Sequence, residues 1–425
     1  MDDYPIYMCG SGTHIRGATP IAVMRVPLSD RIGRIQYAIR KYTPLARRLQ
    51  EEGEEILYLN IGDPLKYDYE TPSFLVEEAC RAVRENHSYY APSPGVWELR
   101  RAIAEKERSW NGNTLDPHLV IVTQGVSEAI NLLYMSLLDP GDKVLLPDPT
   151  YPLYIALTPV YGAEPIYYSM REEEGWQPDP DDIRRGLEAG AKLLVVNNPN
   201  NPTGALYPPR LLREILDIAA EYGVPVASDE IYDALVYEGE FRSLASLASE
   251  DQLVVGLNGF SKTYLVPGWR IGYIYVAGPR EEAEELYGAL LRGAQARLSA
   301  PAPLQVALAR ALSRPPSHLE ELRRRLDERR RYLVEKIEET PGLELSAPPR
   351  AAFYALPRLT VPVDDEEFTR RLLLEEKVLV VHGSGFGPAG RGHVRLVFLP
   401  PPGILDEAFR RIGGFVGRLQ GGSAF

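Results

Sequence analysis

Cysteine is almost missing from this chain of 425 residues: Cys9 and Cys80 are the only two. They provide neither a disulfide framework nor metal-ligand spacing, which fits a reducing cytoplasm. Histidine is also scarce, six in all and with no HExxH or paired carboxylate–histidine pattern, so no metal site is expected. No apolar run approaches the length of a membrane span. Excess positive charge is missing too. A net charge of −12 and a pI near 5.2 argue against a general nucleic-acid binder. Lysine is rare, eight among 47 basic residues, which makes each one worth examining. The opening stretch MDDYPIYMCGSGTHIRG carries acids and has no apolar centre, so it does not read as a secretory signal. Residues 1–24 are expected to form a flexible tail.

What is present suits a globular protein of two or three domains, with 44% apolar and 25% charged residues. From Pro117 to about Val276, short apolar runs alternate with helical stretches. The runs are LVIVTQG, KVLLPDP, AKLLVVNNP, VPVASDE, QLVVGLNG and RIGYIYV. Runs that are apolar throughout predict strands covered on both faces, hence a mostly parallel α/β sheet. Pro208 and Pro209 open a helix that Gly223 closes. After about Arg297 the texture changes to a long arginine-rich helix and further strand-like pieces, which predicts a smaller α/β domain. The expected division is 25–70, packing with the small domain, 71–300 as the large domain, and 301–425 as the small one.

Two stretches invite a functional reading that their context argues against. LRRRLDERRR carries an apolar stripe at Leu319, Leu322, Leu326, Leu333 and Ile337, so it predicts an amphipathic helix. Its polar face is expected to be solvated and braced by Glu320–Arg324, Glu321–Arg325 and Asp327–Arg331 at i,i+4. GFGPAG, residues 385–390, matches a dinucleotide pattern but leads into another strand instead of a helix, so a mobile glycine loop is expected. His382 beside it is expected to be a packed histidine.

Four segments place polar groups just past a strand, and in an open parallel sheet those ends converge on one crevice. In VTQGVSEAINLL, Gly125, Val126 and Ser127 begin a helix whose N-terminus attracts anions, with Ser127 as a candidate cap. In VVNNPNNPTG, Asn200 and Asn201 form a turn rich in amides. In VPVASDEIYDALVY, Asp229 and Glu230 end a buried strand, where a carboxylate needs a cation or a proton donor, and Tyr232 follows. In GLNGFSKTYLVPGWRIGYIYV, Lys262 sits among apolar and small residues, and Arg270 follows. A desolvated lysine has a depressed pKa and attacks carbonyls. Pyridoxal 5′-phosphate calls for this set: an anion cradle, an amine for its aldehyde, and a carboxylate that keeps its ring nitrogen protonated.

NNPNNPTG, SDEIY and SKTYLVPGWRIGY at these separations resemble the pyridoxal-phosphate-dependent class I/II aminotransferases, of the aspartate-aminotransferase fold, from about Arg31 to Arg411. Within that family the chain is most similar to archaeal alanine aminotransferases, through LNIGDPLKYDYETP, SYYAPSPGVWELRRAI and VVHGSGFGPAGRGHVRLVFLPP among others. The resemblance implies a seven-stranded, mostly parallel sheet in the large domain. It implies that Lys262 forms the internal aldimine and then moves a proton between Cα and C4′. Asp229 would pair with the ring nitrogen, Tyr232 and Asn201 with O3′, and Tyr151 would stack on the ring. Gly125, Val126, Ser127, Ser261 and Arg270 would hold the phosphate. Tyr90 would reach the phosphate of a neighbouring subunit, which implies a homodimer. Arg395, with Asn201 and the backbone near Gly62, would clamp the substrate carboxylate. Gly259 stands where the family's aspartate enzymes carry a serine, and Arg297 lies near the region of their partner-subunit arginine. A small side chain is therefore expected, with alanine as donor and 2-oxoglutarate as acceptor. The alternatives are aspartate, aromatic or broad specificity, a carbon–sulfur β-lyase or cyclopropane-forming synthase on the same scaffold, and a cofactor-binding regulator.

Overall fold

The computed structural model describes residues 26–35 and 37–421, so the expected tail over 1–24 lies outside the described residues. The central sheet is built from β1 Val120–Thr123, β2 Lys143–Asp148, β3 Glu164–Arg171, β4 Gln177–Pro178, β5 Ala191–Asn197, β6 Val226–Asp229, β7 Val254–Gly259 and β8 Gly272–Ala277. Their order is β1-β8-β7-β6-β5-β2-β3-β4. The pairs from β3 through β2, β5 and β6 to β7 are parallel. β8 runs antiparallel to both β7 and β1. Seven full strands match the expected number, and the two-residue β4 adds an eighth at one edge.

The continuous apolar runs have the predicted cause. Val144 and Leu146 of β2 pack on one side of the sheet with helix Val126–Leu137, while Leu145 packs on the other with helix Pro209–Glu221. Leu193 and Val195 of β5 likewise face one core, and Leu194 and Val196 the other. Each strand therefore buries both sets of alternating side chains.

A separate core forms around helix His318–Glu339, whose stripe of Leu319, Leu322, Leu326, Leu333 and Ile337 is buried. It includes a three-stranded sheet of Tyr354–Ala355, Val394–Val397 and Val381–His382, in which Val394–Val397 is central and antiparallel to both neighbours. Helix Asp365–Glu376 is capped by Asp364, whose carboxylate accepts from the Glu366 and Glu367 amides. Leu57–Tyr58 pairs in parallel with Val378–Leu379, and helix Thr43–Glu51 buries Ala46 and Leu49 against Leu373 and Leu379. Residues 43–58 thus complete the C-terminal layer from the other end of the chain. Among the described residues, no helix is long and apolar enough to cross a membrane.

The arginine-rich helix departs from expectation. Asp327–Arg331 forms, but Arg324 pairs with Glu321 and Glu328, and Arg325 reaches Asp68. Arg329 and Arg330 are buried, where they reach Asp68 and Glu238. The face is a bridge to distant segments as well as a solvated surface, because long guanidinium side chains find partners that local spacing does not reveal.

Candidate active site

A cavity of about 570 Å3 opens beyond the C-terminal ends of β5 and β6, beside the turn that follows β7. Val126, Ser127, Tyr151, Asn201, Asp229, Tyr232, Ser261, Lys262, Arg270, Arg395 and Gly62 all line it. Segments separated by hundreds of residues therefore meet at the crevice that strand order predicts.

The amine is Lys262. Its Nζ donates to the Gly62 carbonyl at 2.7 Å and lies 5.2 Å from the Phe353 ring centre. Burial pushes it down to about 8, and the positive charges of Arg395 and Arg270 act in the same direction against Asp63. Asp229 closes β6 and is 2% exposed. Its Oδ2 accepts from the Tyr154 hydroxyl at 2.9 Å and its Oδ1 from the Ile231 amide at 3.4 Å. Burial raises it to about 6, although both hydrogen bonds favour the charged form. It has no cationic partner in the protein among the described residues, so a proton-bearing group placed at its carboxylate would complete it.

Arg395 is 1% exposed and has no carboxylate partner among the described residues. One Nη donates to Asn201 Oδ1 at 3.0 Å and the other to the Asn60 carbonyl at 2.5 Å, while Nε has no partner. The guanidinium lies between two rings, 4.4 Å from the centre of Tyr354 and 4.9 Å from that of Phe386. A buried cation with an unused donor and no counter-ion is a site for an anion.

A second anion site lies at the start of helix Val126–Leu137. Gly125 is its N-cap at φ 73°, and a Cβ there would collide with the Arg270 guanidinium. Gly125 does not itself line the cavity, but it lets Arg270, which does, lie against the helix start. Arg270 is itself left-handed at φ 54°, a strained geometry for a side-chain-bearing residue. Ser127 does not cap this helix, as had been expected; it sits inside the first turn and faces the cavity.

Tyr90 stands apart: it is 84% exposed and does not line this chain's cavity. Arg297 is committed elsewhere, to Glu128 at 3.0 Å and to the Val122 carbonyl at 2.7 Å. Asn200 turns inward to receive the Thr203 amide and hydroxyl. His382 is packed, 3.0 Å from the Ser384 hydroxyl.

Sequence reasoning missed a set of tyrosines. Tyr37 meets Tyr151 hydroxyl to hydroxyl at 2.9 Å, and Tyr354 meets Tyr232 at 2.8 Å. Tyr154 holds Asp229. Asn197 and Arg40 also line the cavity. Tyr154 was accessible in principle, one helical turn after Tyr151, but Tyr37 and Tyr354 carry no local signal.

The geometry offers an amine close to neutrality, a buried carboxylate awaiting a proton donor, and two anion sites. Comparisons with known proteins agree with this chemistry. The model of the class I and II aminotransferases matches residues 54–412. Alanine aminotransferase from Mycobacterium tuberculosis is 38% identical over 380 residues, 87% of this chain and 88% of that protein. Glutamate-pyruvate aminotransferase AlaA from Haemophilus influenzae is 36% identical, over 92% of this chain and 98% of its own. The solved structure of alanine aminotransferase from Pyrococcus furiosus superposes with a TM-score of 0.89 at 45% identity, covering 92% of this chain and all of that one. The chain belongs to the class I and II aminotransferase family, and the chemistry it performs is transamination.

Proposed function

We propose that this aminotransferase moves the amino group of alanine to 2-oxoglutarate on pyridoxal 5′-phosphate, in a ping-pong sequence whose two halves share one carboxylate clamp. The observation that carries this reading is Arg395, buried without a counter-ion in the same cavity as an amine lowered to about 8. The site fits the cofactor: Asp229, with no cationic partner among the described residues, suits a protonated ring nitrogen, and the helix start with Arg270 suits a phosphate. When bound, the cofactor supplies an electron sink for the pair released as the substrate loses its Cα proton.

The protein's own residues do the rest. Lys262 would tether the cofactor and, once displaced by the substrate amine, would take and return the proton of the substrate Cα. Its low pKa lets it serve as a base near neutral pH. Asp229, oriented by Tyr154, would keep a proton on the ring nitrogen. Tyr151 would cover one face of the ring. Asn201 Oδ1 accepts from Arg395, so its Nδ2 would be the donor left for O3′, beside the Tyr232 hydroxyl. Val126, Ser127 and Ser261 join Arg270 around the phosphate. Arg395 and the backbone near Gly62 hold the α-carboxylate of alanine and then that of 2-oxoglutarate.

The same reading places the enzyme in the cytoplasm as a homodimer, with the exposed Tyr90 completing a partner's phosphate site. It divides the chain into a cofactor-binding domain over 71–300 and a smaller one over 301–425 joined by 25–70. A half-reaction tests the activity. Alanine alone should convert the cofactor-loaded enzyme to its pyridoxamine spectrum, with pyruvate released once per site. Continuous release of pyruvate and ammonia from cysteine, with no such conversion, would make it a lyase instead.

A further inference from the structure

GFGPAG, residues 385–390, reads in the sequence as a mobile glycine loop, yet in the structure this stretch and the Gly383–Ser384 before it are pinned at both ends. At its base, Asp365 accepts from the Ser384 amide at 2.8 Å and the Gly392 amide at 3.2 Å. At its tip, both carboxylate oxygens of Asp148 lie 3.0 Å from the Ala389 amide, and the Thr150 amide donates to the Phe386 carbonyl at 2.8 Å. Asp148 is the last residue of β2 and is buried. Gly387, at φ 126°, sits so close to it that a Cβ would collide with the carboxylate. Between the two anchors hangs Phe386, fully buried, with its ring under the Arg395 guanidinium. The loop is thus stretched from the C-terminal layer to the central sheet, and the ring it carries forms one of the two walls that orient Arg395.

We propose that Asp148 is a positioning residue for substrate: by holding the loop tip on the end of β2, it keeps Phe386 under Arg395 and so fixes the guanidinium that grips the substrate carboxylate. The inference rests on the reading of Arg395 as that clamp. A carboxylate that accepts a backbone amide in a buried place makes a stronger tie than a neutral pair, which suits a strut crossing between two layers. Freed from Asp148, the loop tip would keep the Thr150 amide as its remaining hydrogen bond to the end of the central sheet, and Phe386 would be held less firmly in register with the guanidinium. The grip acts on ground state and transition state alike, so its loss raises KM and leaves kcat.

The test uses cofactor-loaded enzyme carrying Asp148→Ala, Asp148→Asn, Phe386→Leu or Arg395→Ala. The readouts are KM and kcat for alanine and 2-oxoglutarate, and the Kd of 2-oxoglutarate for the pyridoxal form, which binds that acid without turning it over. Asp148→Ala is expected to raise both KM values and the Kd about tenfold, with kcat within about twofold and the cofactor spectrum unchanged. Asp148→Asn keeps an amide oxygen for Ala389 and is expected to stay within about threefold of the parent. Phe386→Leu leaves the anchors intact and is expected to reproduce the Asp148→Ala effect, so it decides the matter if Asp148→Ala does not fold. Unchanged KM and Kd in Asp148→Ala and Phe386→Leu, beside a raised KM in Arg395→Ala, would overturn the strut and leave the clamp. An unchanged KM in Arg395→Ala would overturn both. A shifted cofactor spectrum in Asp148→Ala would place the effect at nearby Tyr151 and likewise overturn the proposal.

Discussion

A buried lysine and a half-buried one in this protein meet opposite fates. Lys106 ends helix Trp97–Lys106, which packs against β1 and the tyrosines of β8, and it is 5% exposed. It donates to Glu107 at 3.0 Å, to Asp233, and to the Tyr273 hydroxyl at 3.2 Å. Burial alone pulls its ammonium down, but Asp233 and Glu107 outweigh burial and hold it above its ordinary value. The carboxylates are held in turn: Asn111 and Asn258 donate to Asp233 Oδ2, and Asn111 and Asn113 to Glu107 Oε2. Among the described residues Lys262 has only a carbonyl oxygen as hydrogen-bond partner, and burial wins. The contrast separates structure from chemistry. Where buried charge is paired within the chain, it locks elements together. Where it is left incomplete, as at Lys262, Asp229 and Arg395, it waits for a ligand.

The sharpest way to break this comparison is to remove each lysine. Lys262→Ala should cut turnover by at least about a thousandfold while the fold and some cofactor binding persist. Residual turnover within tenfold of the parent would remove Lys262 from the chemistry. Lys106→Met should do the reverse. It leaves Glu107 and Asp233 buried without their cation and should cost about 3–5 kcal/mol of stability, read as a lowered unfolding temperature. Turnover per folded molecule should stay near the parent's. A variant as stable as the parent would mean that the paired cluster contributes no lock.

Glu230 gives a smaller, pH-dependent effect. It faces Ser228, Ser243 and the Leu244 amide, and burial first, then the charge of Glu107, raises it to about 8. The folded chain thus holds this proton more tightly than the unfolded one. The contribution to stability is complete below the ordinary carboxylate range and is lost as pH rises toward 8. Glu230→Gln keeps the acceptor oxygen and cannot ionise. Relative to this variant, the cofactor-free parent should lose about 1 kcal/mol per pH unit between about pH 5 and 8 and then level off. A difference in unfolding temperature that does not change with pH would mean that Glu230 is already ionised.

Most of the proposed cofactor cradle was legible in the sequence because its residues follow strands, and strand ends have a local signature. Asp229, Asn201, Lys262 and Arg270 each sit at the close of a readable apolar run or in the turn beyond it. β3 was not read, because it begins at the exposed Glu164 and buries its residues only in part, so EPIYYSMR lacks the continuous apolar run of its neighbours. Tyr37 and Tyr354 were hidden for a different reason. Each is placed by the fold opposite a partner 114 or 122 residues away, and a lone tyrosine carries no spacing. The glycine loop was misjudged because its anchors, Asp148 and Asp365, lie 241 and 19 residues from the amides they hold.

The central claim is that one incomplete lysine, of eight, carries the cofactor. The direct measurement is borohydride reduction of the protein mixed with pyridoxal 5′-phosphate, over a range of pH, followed by peptide mapping. The account predicts a single label on Lys262, with a rate of capture that rises through a midpoint near pH 8 as its amine loses its proton. Label spread over surface lysines, or a midpoint at the ordinary lysine value of 10.5, would contradict it.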